Sequence, residues 1–334
     1  MKVIVDKDIP YIRGRLEEAG IETEYVSQHE FTPQIVKDAD ALVIRTRTRC
    51  DRALLEGSAV RLVATATIGM DQIDTEWCAK AGIRVCNAPG CNAPAVAQYV
   101  WATLLRMWRI TPSVTGEQAL RGKTLGIVGC GNVGSIVKEW GENLGVRILV
   151  SDPPKGMVYP LERLMAESDA VTLHTPLTRT GEHKTFHLIG AAELAAMRTG
   201  SILINAARGP VVDFSALTPE VTSKRLRTAI DTWEDEPEVN TELLEAVSYG
   251  TFHIAGYSLE GKQRATRMAL EALEKTFGLS LNKSGLAPDY AGNPEISIEK
   301  ILASYDPADD TLLLRQRPRD FDTLRNQYKL RKET

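Results

Sequence analysis

The chain has 334 residues, of which 43% are hydrophobic and 25% are charged, and its formal net charge at pH 7 is −4. This length predicts two domains, and the near balance of charge argues against a broad surface for nucleic acid. The five cysteines are scattered without a C-x-x-C pair, so we expect neither a disulfide framework nor a metal site. Because no signal peptide or membrane-spanning stretch is visible, we expect a cytoplasmic protein with no membrane partner.

The first part of the chain alternates short apolar runs with helical stretches. The stretch YIRGRLEEAG is predicted as a helix, and the predicted strands are KVIVD, IETEYV, ALVIR, RLVATATIG and IRVCNAP. Strands separated by short helices favour parallel pairing in an open α/β sheet. This part of the chain therefore predicts the first domain.

The same rhythm returns after a long apolar helix, predicted from about Ala95 to Met107. The predicted strands of this second domain are TLGIVG, RILVSD, AVTLHTP, SILINAA, RTAIDTW and YGTFHIAG. A further helix is predicted from Leu259 to Phe277, and the tail from Asn282 contains two short amphipathic pieces, Ile298 to Tyr305 and Phe321 to Leu330. We expect this tail to form a small appended module.

The strongest local signal is a glycine motif, in which an apolar strand runs into Gly129-x-Gly131-x-x-Gly134 and then into a helix. The first glycine permits a tight turn, the second lets a pyrophosphate approach the backbone, and the third allows close packing of the helix. A second strand ends at Asp152, where a carboxylate would hold the ribose hydroxyls of NAD and repel the 2′-phosphate of NADP. Lys155 is the one neighbour that weakens this preference, and the motif alone is often only a turn.

Three residues with acid, base and cationic side chains lie at the ends of predicted strands of the second domain: Arg208 and Glu236 follow such strands, and His253 begins such a junction. They are Arg208 in ILINAARGPVVD, Glu236 in AIDTWEDEP and His253 in GTFHIAG. Because ligands of open α/β sheets bind beyond the carboxyl ends of strands, we expect the three to share one cleft. Taken singly, each also has an ordinary interpretation as a surface charge, a loop acid or a core histidine.

The three side chains suit the oxidation of a 2-hydroxy acid. Arg208 would bind the carboxylate, His253 would take the hydroxyl proton, and Glu236 would orient the imidazole. His174 ends a strand near the predicted cofactor, but we expect it to be structural. His187 has no comparable sequence context.

The stretches Gly129 to Gly134, NAARGPVVD, DTWEDEP and HIAG resemble the NAD-dependent D-2-hydroxyacid dehydrogenase family. The stretches VDKDIPY, NAPGCNAPAVAQYVWATLL, FHIAGYSLEGK and FDTLRNQYKLRKE extend this resemblance over essentially the whole chain, toward a branch whose substrate carries a phosphate. The resemblance implies an α/β fold of two Rossmann-like, doubly wound parallel-sheet lobes with a small C-terminal module. It also implies NAD as cofactor, a small phosphorylated 2-hydroxy acid as substrate, and a homodimer.

The resemblance also implies domain boundaries and site residues. Residues 1–94 with about 257–281 would form a substrate-binding lid, 95–256 the NAD-binding domain, and 282–334 a short dimerisation-type module. The catalytic residues would be Arg208, Glu236 and His253. The cofactor contacts would be Gly129, Gly131, Asn132, Val133, Gly134, Asp152, Thr175, Ala206, Ala207, Asp231 and Gly256. The substrate contacts would include Thr46, Thr67 and Tyr257. One departure is Gln98, which stands where a glutamate is common and should change only a local hydrogen bond.

The stretch LVIRTRTRC places arginines at every second position. Arg45, Arg47 and Arg49 would share a face if the strand continued that far. A substrate with a carboxylate and a phosphate needs a second positive group, so Arg45 with Thr46 is predicted to support the phosphate end. Arg47 and Arg49 are interpreted as solvated charges that pair with Asp51 or Glu56.

Three alternative functions stay open on the sequence. A D-3-phosphoglycerate dehydrogenase would need the same trio, cofactor and phosphate pocket, although the tail lacks a β-rich regulatory domain. Another D-2-hydroxyacid dehydrogenase would need the trio without the phosphate site. A corepressor-like scaffold that senses NADH would need only the nucleotide motif, because one fold hosts unrelated functions.

Overall fold

The computed structural model describes residues 1–111, 119–293 and 295–334. The chain divides into two units. Unit 1 comprises Met1–Asn92 and Leu259–Tyr290, and unit 2 comprises Ala93–Ser258 and Ala291–Thr334. Each unit contains its own predominantly parallel sheet, which confirms the predicted fold class of two Rossmann-like α/β lobes. Within the described residues, no helix has the length and apolar character that a membrane span requires.

The regular elements are numbered in chain order. The strands are β1 Lys2–Asp6, β2 Glu22–Val26, β3 Ala41–Ile44, β4 Leu62–Thr65, β5 Arg84–Cys86, β6 Thr124–Val128, β7 Arg147–Asp152, β8 Met157–Val158, β9 Ala170–Leu173, β10 Ile202–Asn205, β11 Arg227–Ile230 and β12 Tyr249–Gly250. The α-helices are α1 Pro33–Val36, α2 Arg52–Leu55, α3 Thr75–Lys80, α4 Ala93–Met107, α5 Asn132–Asn143, α6 Leu161–Glu167, α7 Ala191–Ala196, α8 Phe214–Thr222, α9 Thr241–Ala246, α10 Leu259–Phe277, α11 Ile298–Ser304, α12 Pro307–Gln316 and α13 Phe321–Asn326. Short 3₁₀ turns cover Glu17–Ala19, Pro153–Lys155, Gly209–Val211 and Pro318–Asp320.

Unit 1 is built on a five-stranded parallel sheet with the order β2-β1-β3-β4-β5. Successive residues of β1 point to opposite faces, so Val3 and Val5 pack in one core while Ile4 packs in the other. Helix α10 supplies Ala269 and Leu273 to the first of these cores. Burial on both faces explains why these strands read as continuous apolar runs.

Two local expectations for unit 1 are wrong or cut short. The stretch YIRGRLEEAG is not an α-helix, because Tyr11 and Gly14 adopt φ values of +64° and +83° that interrupt any helix. Strand β3 ends at Ile44, so its alternation does not extend through the arginines that follow.

Unit 2 is built on a seven-stranded sheet with the order β12-β11-β10-β9-β6-β7-β8, in which only β8 runs antiparallel to its neighbour. The sheet of unit 2 starts at the interior strand β6. The chain then adds β7 and β8 on one side of β6 and returns to add β9 to β12 on the other side. The order therefore reverses between β6 and β9. A crevice beyond the carboxyl ends of strands at such a point is where α/β sheets bind their ligands.

Candidate active site

The centre of the site is a histidine paired with a carboxylate. His253 Nδ1 lies 2.7 Å from Glu236 Oε2, and Glu236 Oε1 accepts the backbone N–H of Trp233 at 2.8 Å. The two side chains are only 26% and 21% exposed. The carboxylate is thus held by a backbone amide while it fixes one ring nitrogen of the histidine.

The pKa of Glu236 reflects this environment. Burial alone would raise the pKa, but the His253 imidazole and the hydrogen bonds from His253 and Trp233 outweigh burial and lower it from its ordinary value. The Arg325 guanidinium lowers this pKa further. Glu236 is therefore ionised at neutral pH and accepts the hydrogen on Nδ1, which leaves Nε2 of His253 to exchange a proton with a ligand.

Glu236 lies in the loop after β11, and Arg208 lies in the loop after β10, the neighbouring strand. The two loops touch each other. The Nη1 of Arg208 donates to the carbonyl of Ala207 at 2.8 Å. A Cβ on the next residue, Gly209, would lie 1.9 Å from the carbonyl oxygen of Trp233. Only glycine fits at this approach, so the backbone segments that carry Arg208 and Glu236 are packed against each other.

The histidine turn, His253–Ala255, is held by a buried aspartate. Asp231 is 1% exposed, and its carboxylate accepts the N–H groups of Ile254 and Ala255 at 2.8 and 3.0 Å. It also accepts the hydroxyl of Thr251 at 2.7 Å. These bonds hold His253 in a left-handed conformation with φ +59°. The structure thus assigns the Asp231 carboxylate to the turn, and its predicted contact with the cofactor stays a prediction.

The glycine loop, Gly129–Gly134, has the backbone geometry that its motif predicts. Gly129 has φ +88°, and a Cβ there would lie 2.9 Å from the His174 carbonyl. A Cβ on Gly134 would lie 2.1 Å from the Gly129 oxygen, whereas a Cβ on Gly131 would meet no described atom within 4 Å. The backbone is therefore closely packed at Gly129 and Gly134, whereas the space beside Gly131 is open. Helix α5 begins immediately after Gly131, with Asn132 and Val133 as its first residues.

Residues around the glycine loop fit a dinucleotide. Asp152 ends β7, and its Oδ2 accepts the N–H of Cys130 at 2.7 Å, while Lys155 Nζ donates to the Cys130 carbonyl at 2.9 Å. The Thr175 hydroxyl is buried and has no hydrogen-bond partner among the described residues. An orphaned buried hydroxyl beside an open glycine loop suits a bound polar ligand. The remaining predicted contacts, Ala206 and Ala207 after β10 and Gly256 after the histidine turn, lie on loops of the same unit.

His174 lies behind the glycine loop. Burial lowers the pKa of His174 to about 3, and its ring lies 3.1 Å from the Thr172 hydroxyl. It is therefore neutral at physiological pH and a weak base, which makes it poorly suited to exchange a proton with the substrate.

The residues predicted for the phosphate end lie in unit 1. Arg45 is partly buried, with Nη1 at 3.4 Å from the carbonyl of Asp8 and 3.9 Å from its carboxylate. Thr46 is exposed, and the Thr67 hydroxyl lies 2.6 Å from that of Thr65. Arg45 also lines a small cavity in unit 1 together with Lys262.

Arg49, the second arginine beyond Arg45, pairs with a nearby carboxylate. Arg49 forms an exposed ion pair with Asp51 at 2.7 Å, one of the partners that the sequence suggested. The prediction that Arg47 is also a solvated charge is not decided by this contact.

Two features near the catalytic loops escaped the sequence reasoning. His187, which had no visible context, lies 2.6 Å from Glu234, whose other oxygen accepts the N–H of Phe214 at 3.1 Å. Arg325 lies with its Cζ 5.7 Å from the centre of the Tyr257 ring, and its Nε is buried without a hydrogen-bond partner in the described part of the chain. Arg325 lies in the stretch FDTLRNQYKLRKE, which carries part of the family resemblance and a predicted amphipathic piece but does not single out this arginine.

The chain is similar to known proteins in both sequence and structure. Residues 97–255 match the family model described as D-isomer specific 2-hydroxyacid dehydrogenase, NAD binding domain. Erythronate-4-phosphate dehydrogenase of Bacteroides fragilis is 44% identical to the chain, with 100% of this chain and 97% of the relative covered. The Bacteroides thetaiotaomicron protein of the same name is 42% identical with the same coverage. The NAD-bound crystal structure of 3-phosphoglycerate dehydrogenase from Entamoeba histolytica is 26% identical and superposes with a TM-score of 0.68, covering 87% of this chain and 99% of that one.

Proposed function

Because the chain belongs to the D-isomer specific 2-hydroxyacid dehydrogenase family, among its erythronate-4-phosphate dehydrogenases, we propose that it oxidises 4-phospho-D-erythronate with NAD. The product would be 2-oxo-3-hydroxy-4-phosphobutanoate, an intermediate in the biosynthesis of pyridoxal 5′-phosphate. The observation that carries this proposal is the pairing of His253 with the ionised Glu236, on a loop packed against that of Arg208.

Each catalytic side chain has a distinct task in this reaction. Arg208 binds the substrate carboxylate through charge-assisted hydrogen bonds and polarises the carbonyl that develops at C2. His253 Nε2 takes the proton of the C2 hydroxyl, and Glu236 stabilises the imidazolium that forms. NAD, when bound, accepts the hydride that leaves C2. General base catalysis of this kind contributes about 100- to 10,000-fold to the rate.

The glycine loop and its neighbours would hold the NAD. The open backbone at Gly131 and the start of α5 suit the pyrophosphate, and Asp152 suits the ribose hydroxyls. A 2′-phosphate at the same place would face a negative charge, which supports NAD rather than NADP.

Substrate specificity is tested with a panel of acids. The purified protein is offered NAD with 4-phospho-D-erythronate, 3-phospho-D-glycerate, D-erythronate or D-lactate, and nicotinamide absorbance gives the rate. We expect kcat/KM to be highest for 4-phospho-D-erythronate. A higher kcat/KM for 3-phospho-D-glycerate would identify the protein as a phosphoglycerate dehydrogenase. NADH binding without oxidation of any acid would instead favour a sensing scaffold.

The phosphate end has its own test. We propose that Arg45 and Thr46, with Thr67 and Tyr257, contribute to substrate binding, and that Arg45 contacts the phosphate. Charge-assisted hydrogen bonds to phosphate contribute about 1.5 to 3 kcal/mol. We therefore expect Arg45→Ala to lower kcat/KM for 4-phospho-D-erythronate about 10- to 100-fold more than for D-erythronate. The matched control is Arg49→Ala, which removes an exposed arginine, and equal losses for both substrates in Arg45→Ala would contradict the assignment.

We also propose that the protein acts in the cytoplasm as a homodimer, and that residues 282–334 contribute to the dimer. The relatives named erythronate-4-phosphate dehydrogenase, which match the whole of this chain, support a role for it as a metabolic enzyme. Sedimentation of the purified chain measures its mass directly, and a monomer across the assayed concentration range would contradict the dimer.

A further inference from the structure

The end of the chain contacts the histidine turn through one arginine. Arg331 Nη1 donates to the carbonyl of Ile254 at 2.9 Å, and Nη2 donates to the carbonyls of Ala255 and of Ala95, the latter at 3.0 Å. Its Nε donates to Gln98 Oε1 at 3.3 Å. One planar guanidinium thus binds both carbonyls that follow His253 and ties them to helix α4.

The same turn is held from its other side by Asp231. The aspartate accepts the N–H groups of Ile254 and Ala255, while Arg331 donates to their carbonyls. The turn must keep His253 at φ +59°, a conformation that costs a non-glycine residue on the order of 1 kcal/mol and persists only where the surroundings enforce it. Asp231 holds the N–H groups of the turn and Arg331 holds its carbonyls, and together these bonds keep His253 in this conformation.

The C-terminal segment, Tyr328–Thr334, is itself anchored in unit 2. Gln98 is fully buried, and its Nε2 donates to the carbonyl of Lys332 at 3.0 Å and to the hydroxyl of Thr334 at 2.8 Å. The Ser258 hydroxyl donates to Glu333 Oε1 at 2.6 Å, beside a parallel bridge between Ser258 and Arg331. Gln98 uses its amide as donor and acceptor at once, which a glutamate at this position could not do when ionised.

We propose that Arg331 is a positioning residue for His253, and that the C-terminal segment is thereby part of the catalytic unit. This role rests on the proposed function for its kinetic consequences. Among the described contacts, loss of the guanidinium leaves the Ala255 carbonyl without a partner and the Ile254 carbonyl with only the N–H of Tyr257. The turn then relaxes, so Nε2 leaves the place that Glu236 fixes from the other end of the ring. A displacement of about 1 Å in a reacting group costs on the order of 100-fold in rate.

The kinetic test replaces the guanidinium without removing the aliphatic stem. We expect Arg331→Met to lower kcat about 100-fold while the dissociation constant of NAD stays within about twofold of the wild-type value, because the glycine loop is untouched. The matched control is Arg317→Met, since Arg317 lies in the same C-terminal region and pairs only with Asp320 among the contacts seen. Arg331→Lys keeps the charge, but its three donors radiate from one nitrogen and cannot reproduce the spread of the planar guanidinium, so it should lose activity to an intermediate degree.

Chemical rescue separates positioning from general stability. Millimolar guanidinium should restore part of the kcat of Arg331→Ala, because the free ion can occupy the space between the two carbonyls, and it should not raise the kcat of Glu236→Gln. An Arg331→Met protein that folds and keeps wild-type kcat would overturn the proposal. If Arg331→Met does not fold, wild-type kcat in Arg331→Lys without a change in thermal stability would overturn it equally.

A readout without turnover keeps this proposal distinct from the proposed function. In protein labelled with ¹⁵N-histidine, the Nδ1 hydrogen of His253 is identified by its loss or shift in Glu236→Gln. That resonance should move or broaden in Arg331→Met and stay in place in Arg317→Met. An unmoved resonance in Arg331→Met would contradict positioning. Failure of the wild-type protein to oxidise 4-phospho-D-erythronate would contradict only the substrate assignment.

Discussion

In the proposed reaction, His253 depends on an oriented hydrogen bond to one of its ring nitrogens. Glu236 binds Nδ1, and the backbone N–H of Trp233 holds Glu236 in turn. The sequence identified both side chains and their partnership, because an acid and a histidine at the ends of neighbouring strands suit this chemistry. It could not show that Asp231 would hold the histidine turn, since hydrogen bonds to backbone amides leave no pattern in the sequence.

Replacing Glu236 by glutamine tests the orientation of the imidazole. We expect Glu236→Gln to lower kcat about 100- to 1,000-fold, because a neutral amide cannot stabilise the imidazolium as a carboxylate does. Initial rates at saturating NAD and substrate measure this loss. A kcat close to that of the wild-type protein would show that the pair is not catalytic.

The same substitution has a pH-dependent effect on stability. The pKa of Glu236 is lowered in the folded protein from its ordinary value of 4.5, so its ionisation stabilises the fold above that pH. This stabilisation is lost as pH falls through the lower, folded pKa. The difference in unfolding free energy between wild type and Glu236→Gln should therefore shrink on acidification below about pH 4.5.

Two glycines of one loop should respond in opposite ways to alanine. A Cβ on Gly134 would lie 2.1 Å from the Gly129 oxygen, so Gly134→Ala should distort the loop and lower the unfolding temperature. A Cβ on Gly131 meets open space, so Gly131→Ala should fold normally yet bind NAD at least about 10-fold more weakly. Calorimetry of unfolding and of NAD binding measures both effects. Unchanged NAD affinity in Gly131→Ala would contradict a pyrophosphate site at this glycine.

Among the helices and strands, the predictions agree with the structure where the apolar residues follow a clear pattern along the chain. Helix α10 covers Leu259–Phe277 as its amphipathic pattern predicted, and the continuous apolar strands of both sheets were also identified. The helix expected in YIRGRLEEAG is wrong because left-handed residues interrupt it. Helix α12 was not predicted, because its leucines form a consecutive run, Leu312–Leu314, rather than a stripe with helical spacing.

Helix α12 carries a carboxyl group whose pKa is raised by burial to about 6 from its ordinary value of 3.8. Asp310 accepts the hydroxyl of Tyr305 at 2.8 Å, but this bond does not offset burial. Because the folded state prefers the protonated acid, this group destabilises the fold progressively as pH rises from about 4 to about 6, and by a constant amount above that range.

The substitution Asp310→Asn removes this pH-dependent cost. We expect the variant to be more stable than the wild-type protein by on the order of 1 kcal/mol near pH 8, and the two to converge near pH 4. Urea unfolding across this range measures the difference. Asp309→Asn is the control, because Asp309 is exposed on the same helix and its replacement should change stability little. A gain for Asp310→Asn that is independent of pH would contradict the sign of the shift.

At the scale of the whole molecule, the sequence predicted two parallel α/β lobes, the NAD motif and the catalytic trio. What it missed is the link between distant parts of the chain. Arg331 and Ile254 are far apart in sequence, and their contact depends on how the C-terminal segment docks in unit 2. The expectation that Gln98 affects only a local hydrogen bond was too narrow, because Gln98 binds that segment at several points.

The most direct measurement is the rate of NAD reduction by 4-phospho-D-erythronate in the wild-type protein and in His253→Asn. We expect rapid reduction by the wild-type protein and a kcat about 100- to 10,000-fold lower in His253→Asn, with NAD binding unchanged. If the wild-type protein reduced no NAD, or if His253→Asn kept its rate, the assignment of Arg208, Glu236 and His253 as the active site would be wrong.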